Sequence, residues 1–144
     1  MIRHAGLIAL RLGGVWRGLL IEGPSGSGKS DLALRALEVG FRLVADDRVQ
    51  LWASDGQLWG RAPDTLSGLM ESRGLGVLGL TPVPFAPISL VVRCEATPDA
   101  VERFPGGETF NLAGISLPLR ALWPFDPAAA VKLRLAMQHL GSHP

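Results

Sequence analysis

The residues with the clearest chemical potential form one run, Gly23-Pro24-Ser25-Gly26-Ser27-Gly28-Lys29-Ser30. An apolar run, Gly18–Glu22, precedes it and a helix-forming stretch, Asp31–Val39, follows. Strand, glycine-rich loop and helix together are the setting a phosphate-binding P-loop requires. Glycines let backbone N–H groups converge on phosphate oxygens, and the helix adds its unpaired amides and positive dipole end. In such a loop Lys29 reaches the β- and γ-phosphates and the Ser30 hydroxyl is placed to ligate Mg²⁺. The chain contains only two lysines, Lys29 and Lys132, so a lysine at this position of a glycine-rich loop is a specific signal. The run predicts binding of a nucleotide or another phosphate-rich ligand.

Three further groups have side chains suited to chemistry. Phe41–Asp47 reads as an apolar strand ending in two carboxylates, Asp46-Asp47. A strand of this kind commonly lies beside the P-loop strand, with its acidic end toward Mg²⁺ or the attacking nucleophile. Adjacent acids on an extended chain point to opposite faces, so one faces the γ-phosphate and the other holds water, metal or backbone. Spacing alone does not choose between them. Glu71-Ser72-Arg73-Gly74-Leu75-Gly76 places a carboxylate and a guanidinium beside two glycines. That set suits metal and phosphate contacts, and equally a surface ion pair followed by a turn. His4 lies near the N-terminus, where spacing alone reads as a solvated residue.

The elements that must position these groups are short and turn-punctuated. Gly13-Gly14 predicts a two-residue hairpin joining Ala5–Leu12 to Val15–Ile21, which pairs the P-loop strand antiparallel to its predecessor. Ser54-Asp55-Gly56 predicts a second hairpin, with Trp52 and Trp59 packed across strands. Ala113-Gly114 predicts a third, between Glu108–Leu112 and Ile115–Leu119. A helix is expected from Ser30 to Val39 with Gly40 as its cap, and another from Asp126-Pro127 to about Leu140, packing through Val131, Leu135 and Met137. Short helices are expected at Thr65–Met70 after Asp64, and at Pro98–Arg103 after Thr97. Ile88–Val92 reads as a buried central strand, and Leu78–Pro87 as a loop without periodicity. The fold class is therefore α/β, one domain over residues 1–144 with a mixed sheet and several hairpins.

Composition narrows the field. At 144 residues and 47% hydrophobic content the chain can bury one core. A net charge of +1 gives no electrostatic footprint for nucleic acid. No apolar run approaches membrane-spanning length, and a lone Cys94 suits a reducing compartment. These features point to a cytoplasmic protein with neither nucleic-acid nor membrane partner.

Taken in order, His4, the Gly23–Ser30 loop, Leu43-Val44-Ala45-Asp46-Asp47 and Glu71-Ser72-Arg73-Gly74-Leu75-Gly76 resemble the catalytic domain of the bacterial HPr kinase/phosphorylase family. The resemblance runs from about His4 to Met137. It implies a fold similar to the nucleotide-binding part of phosphoenolpyruvate carboxykinase. It also implies a protein-serine kinase that phosphorylates an HPr-like phosphocarrier with ATP and Mg²⁺, and in many members reverses this with inorganic phosphate. By the same resemblance the chain looks like a short form without the N-terminal domain, assembled as a homo-oligomer, in the family a hexamer. Carried over by motif, Asp47 resembles the general base, Lys29 the charge-neutralising cation, Ser30 and Glu71 the Mg²⁺ ligands. His4, Arg73 and Arg103 resemble further active-site residues. Leu117–Leu122 only loosely resembles the segment linked to phosphorylase activity. A reading from another class is an ATP-sensing module that binds nucleotide and partner without transferring phosphate.

Overall fold

A computed structural model describes residues 1–140. Its order is β1 (Ile2–Arg3), β2 (Gly6–Leu12), β3 (Val15–Glu22), α1 (Lys29–Ala36), β4 (Arg42–Ala45), β5 (Val49–Ser54), β6 (Gln57–Arg61), β7 (Leu69–Ser72), β8 (Gly76–Gly79), β9 (Ala86–Cys94), β10 (Thr109–Leu112), β11 (Ile115–Leu122) and α2 (Ala129–His139). One mixed sheet runs β1-β5-β6-β9-β3-β2-β4, with β11 also on β9 and β10 on β11. β7 and β8 form a separate two-stranded hairpin.

The three expected hairpins are present. β2/β3, β5/β6 and β10/β11 each close through two residues with left-handed φ at both positions: Gly13-Gly14, Asp55-Gly56 and Ala113-Gly114. That turn geometry matches the twist of the flanking strands. Trp52 stands opposite Trp59 in β5/β6, as cross-strand packing requires.

Burial explains why β2, β3 and β9 read as nearly continuous apolar runs: both faces of the sheet are covered. On one face, Ile8, Leu10, Leu19, Ile21, Leu90 and Val92 pack against Leu32 and Ala36 of α1 and Leu133 and Met137 of α2. On the other, Leu7, Leu20 and Val91 meet Leu51, Leu58 and Phe110. A register shift between Gly18↔Ile88 and Leu19↔Leu90 puts Ile88 in the second core and Leu90 in the first. β9 meets three strands. β3 lies along one edge, antiparallel β6 pairs at Ala86-Pro87, and parallel β11 pairs at Val91–Cys94.

Several details differ from the sequence expectation. β4 pairs with β2 rather than lying beside β3, so one antiparallel strand separates it from the P-loop strand. The Thr65–Met70 helix is a single 3₁₀ turn, Asp64–Leu66, and Met70 is buried in β7. The Asp64 carboxylate is engaged by Arg61 instead of capping a helix, and Gly68 turns the chain with φ 75°. The helix after Thr97 is likewise one turn, Pro98–Ala100, with Val101 extended. In α2, Met137 is buried as expected, but Val131 and Leu135 face outward while Ala129, Ala130 and Leu133 join Met137 inside. No helix among the described residues is long and apolar enough to cross a membrane.

Candidate functional site

The loop between β3 and α1 is built from tight contacts. A Cβ at Gly23 would stand 2.6 Å from Ser27 Oγ and 3.0 Å from Cys94 Cβ, and one at Gly28 would stand 3.1 Å from Phe125 Cζ. Gly28 precedes the helix with φ 100°, a left-handed conformation that an L side chain resists. α1 has eight residues, too few for a stable isolated helix, and is held by burial of Leu32, Ala33 and Ala36. Its amino end is thus fixed by the core and offers its free amides to the loop.

Lys29 is 7% exposed, the one buried charged side chain among the described residues. Its Nζ donates to Gly23 O at 2.8 Å and Pro24 O at 3.0 Å, so the cation is satisfied by the loop's own carbonyls. Ser27 Oγ is buried with no hydrogen-bond partner. Ser30 Oγ donates to Asp46 Oδ1 at 2.7 Å, and the backbone N–H of Glu71 donates to Asp46 Oδ2 at 3.1 Å. One carboxylate therefore joins the first turn of α1, the end of β4 and strand β7.

Asp47 turns the other way because its backbone is left-handed, φ 67°. Its carbonyl accepts from Ala5 N at 3.1 Å, and its Oδ1 lies 2.5 Å from His4 Nε2. Both side chains are more than half exposed and border a cavity of about 240 Å³ with Ile2 and Arg48. The two acids thus diverge, Asp46 toward the P-loop serine and Asp47 toward the histidine.

The structure gathers Gly23–Ser30, Asp46, Asp47 and His4 at neighbouring strand ends, with Glu71 joined through its backbone. The Glu71 side chain is exposed on β7, and Arg73 sits exposed in the loop between β7 and β8. Arg103 lies elsewhere, its guanidinium 5.8 Å over the Phe104 ring, on the wall of another cavity. Asp46 is the residue sequence reasoning did not place. The adjacent acids were the signal, but its partners lie 16 and 25 residues away. Behind the loop, burial pushes the Cys94 thiol up to about 11.

No group of three or more His, Cys, Asp or Glu among the described residues is gathered to hold a metal ion by itself. The available donors are nevertheless hard oxygens, Ser30 Oγ and the Asp46 and Glu71 carboxylates. They suit Mg²⁺, which binds through one or two carboxylates together with phosphate and water.

A strand, a glycine-rich loop and a helix carrying lysine and serine, with carboxylates at the adjoining strand ends, define a P-loop α/β protein. Within that class, the model of the HPr Serine kinase C-terminal domain matches residues 4–83, and the chain belongs to that family. HPr kinase/phosphorylase of Limosilactobacillus reuteri (strain DSM 20016) is 42% identical over 112 residues, covering 70% of this chain and 35% of the relative. That of Clostridium beijerinckii is 50% identical over 64 residues, 44% of this chain and 21% of the relative. The chain thus spans about a third or less of the length of these curated relatives. The solved HPr(Ser) kinase/phosphatase from Coxiella burnetii superposes with a TM-score of 0.78 at 21% identity, over 96% of this chain and 95% of that one. The likeness in fold therefore extends beyond the residues that the family model matches.

Proposed function

We propose that residues 1–144 form one catalytic domain of an ATP- and Mg²⁺-dependent protein-serine kinase. Its substrate would be an HPr-like phosphocarrier in the cytoplasm. The observation that carries this reading is the bond from Ser30 Oγ to Asp46, which sets the phosphate loop beside the Asp47–His4 pair. The names of the relatives, HPr kinase/phosphorylase, supply the acceptor class.

In the forward direction Asp47 accepts the proton of the substrate serine as its oxygen attacks the γ-phosphorus. The bond to the β,γ-bridging oxygen breaks and ADP leaves. His4 orients the Asp47 carboxylate through their 2.5 Å contact, and the Ala5 N–H fixes the backbone behind it. Lys29 exchanges its bonds to Gly23 and Pro24 carbonyls for phosphate oxygens and offsets charge in the loose transition state. Asp46 holds the Ser30 hydroxyl in place. Mg²⁺ would be held by Ser30 and Glu71 and would supply charge neutralisation for the phosphates, while Asp46 keeps the Ser30 hydroxyl and the Glu71 backbone in register. Arg73, exposed in the same hairpin, would meet the acceptor or the transferring group. In phosphorolysis an oxygen of inorganic phosphate attacks the phosphorus of phosphoserine and the bond from phosphorus to the serine oxygen breaks. The Asp47 carboxyl gives its proton to the serine oxygen, and pyrophosphate leaves. Exposed Leu75 and Val77 near the site support association with protein surfaces, and a homo-oligomer is the expected state, read by sedimentation.

The test is incubation with ATP, Mg²⁺ and an HPr-like carrier, followed by mass spectrometry, with and without excess phosphate. Phosphoserine on the carrier is expected. ATP binding without transfer would instead make the chain a nucleotide-sensing module.

A further inference from the structure

The sheet order imposes a sidedness on the site. β4 is antiparallel to β2, and β2 to β3, while β9 is parallel to β3 and β11 to β9. The carboxyl ends of β4, β3, β9 and β11 therefore share one edge. In open α/β sheets that edge is where ligands bind. On this edge the acids of β4 lie to one side of the P-loop strand and the ends of β9 and β11 to the other.

In-line phosphoryl transfer requires the attacking and leaving oxygens on opposite sides of the phosphorus. If the acceptor enters beside Asp47, the leaving diphosphate and its nucleoside extend away from β4, toward β9 and β11. The described residues hold a cavity of about 480 Å³ there, walled by Val92, Leu122, Trp123 and Leu133, with Val101 and Arg103 on the segment that follows β9. The volume falls in the range of small-molecule sites, and apolar walls with few polar groups suit a flat base. Charged groups for the hydroxyls of a ribose are at hand in Arg103, Arg120 and the Lys132–Asp126 pair.

The cavity is also fastened to the P-loop. Arg35 of α1 donates to the carbonyls of Pro124 and Asp126, and Phe125 packs on Gly28. Trp123 and Asp126, from the same short segment, line the cavity. One piece of backbone thus connects the helix that begins at Lys29 with the cavity wall.

We infer that this cavity receives the nucleoside half of the nucleoside triphosphate whose phosphates sit in Gly23–Ser30. Arg103 then belongs to nucleotide binding rather than to the reacting centre. The inference rests on reading Gly23–Ser30 as a triphosphate cradle, so two probes are needed, ATP and inorganic triphosphate. Both are titrated calorimetrically in Mg²⁺ into the wild type, Val101→Trp, Arg103→Ala and Lys29→Ala.

Wild type should bind ATP about tenfold or more tightly than triphosphate. Val101→Trp, which fills the cavity from an extended loop residue, should reduce ATP affinity to about the triphosphate level and leave triphosphate within about twofold. Arg103→Ala, a change at an exposed side chain, should weaken ATP about three- to tenfold and triphosphate not at all. Lys29→Ala should weaken both. If ATP binds Val101→Trp and Arg103→Ala as it binds wild type while Lys29→Ala loses both ligands, the nucleoside assignment is overturned and the phosphate cradle stands. If Val101→Trp weakens both ligands equally, its effect is distortion of the loop, and Arg103→Ala decides. If wild type binds neither ligand, the cradle reading fails and the inference with it.

Discussion

The two halves of the site are built to different standards. The donor half, Gly23–Ser30, is enclosed: Lys29 is buried and doubly bonded, Ser30 is tied to Asp46, and side chains pack against Gly23 and Gly28. The acceptor half is open. His4 and Asp47 are more than half exposed, and the adjoining hairpin leaves Leu75 71% and Val77 66% exposed. A small phosphate group can be recognised by a preformed cradle. On the proposed reading a serine on a protein surface would bring its own surroundings, and the open half would be completed by the arriving partner. The contrast predicts that substitutions in the open half affect transfer without affecting nucleotide binding, whereas those in the enclosed half affect binding or stability as well.

The largest separation of the two halves is expected from Asp47→Asn. Phosphoserine formation should fall by about 10²–10⁴, the span of general-base contributions, while ATP affinity is retained. Loss of ATP binding in this variant would contradict the division. Lys29→Ala should reduce transfer by about 10²–10³ and weaken ATP as well, since it removes the cation nearest the phosphates. Gly23→Ala probes packing: with Ser27 Oγ 2.6 Å from the new Cβ, thermal unfolding should show a loss of about 1–3 kcal/mol. A neutral outcome would mean the loop is looser than its contacts imply.

Cys94 gives a smaller, pH-dependent effect. The folded thiol is raised to about 11 by burial, so the unfolded chain releases its proton first as pH rises through about 9. Stability supplied by the neutral thiol is complete below that pH and declines between about 9 and 11, by on the order of 2 kcal/mol. Denaturant titrations of wild type against Cys94→Val, at pH 7.5 and about pH 10.5, should show the wild type losing more. Least of all, Leu75→Ser should change stability by less than about 0.5 kcal/mol, as for any exposed residue with no buried partner.

What the sequence revealed followed from how local the determinant was. Gly13-Gly14, Asp55-Gly56 and Ala113-Gly114 mark their turns because the required backbone lies within the dipeptide itself. The loop and the first turn of α1 were legible for the same reason. Leu69-Met70 reads as the end of a helix in the sequence because the strand character of Leu69–Ser72 comes from pairing with Gly76–Gly79 and from burial of Met70. In α2 two apolar stripes were available, and only the sheet beneath selects Leu133 and Met137 over Val131 and Leu135. Adjacent acids are expected to diverge, but that Asp46 rather than Asp47 meets Ser30 goes with the left-handed φ of Asp47, which no residue of glycine type announces.

The connectivity of the sheet also bears on how the chain reaches its folded state. β2 and β3 pair through adjacent residues, Leu12 with Val15 at the turn, so their loop closure costs little entropy. The parallel contacts behind the P-loop are distant in sequence, Leu19 with Leu90 and Val91 with Leu119. Long-range parallel pairing forms slowly because its loop entropy must be overcome before contacts reward it. Gly23 leans on Cys94, a residue of that distant strand. The phosphate loop therefore acquires its shape only after the β3–β9 contact is made, although its hairpin neighbour can form early. Pulsed hydrogen exchange during refolding should show protection at Leu7–Leu10 preceding protection at Leu90–Val92.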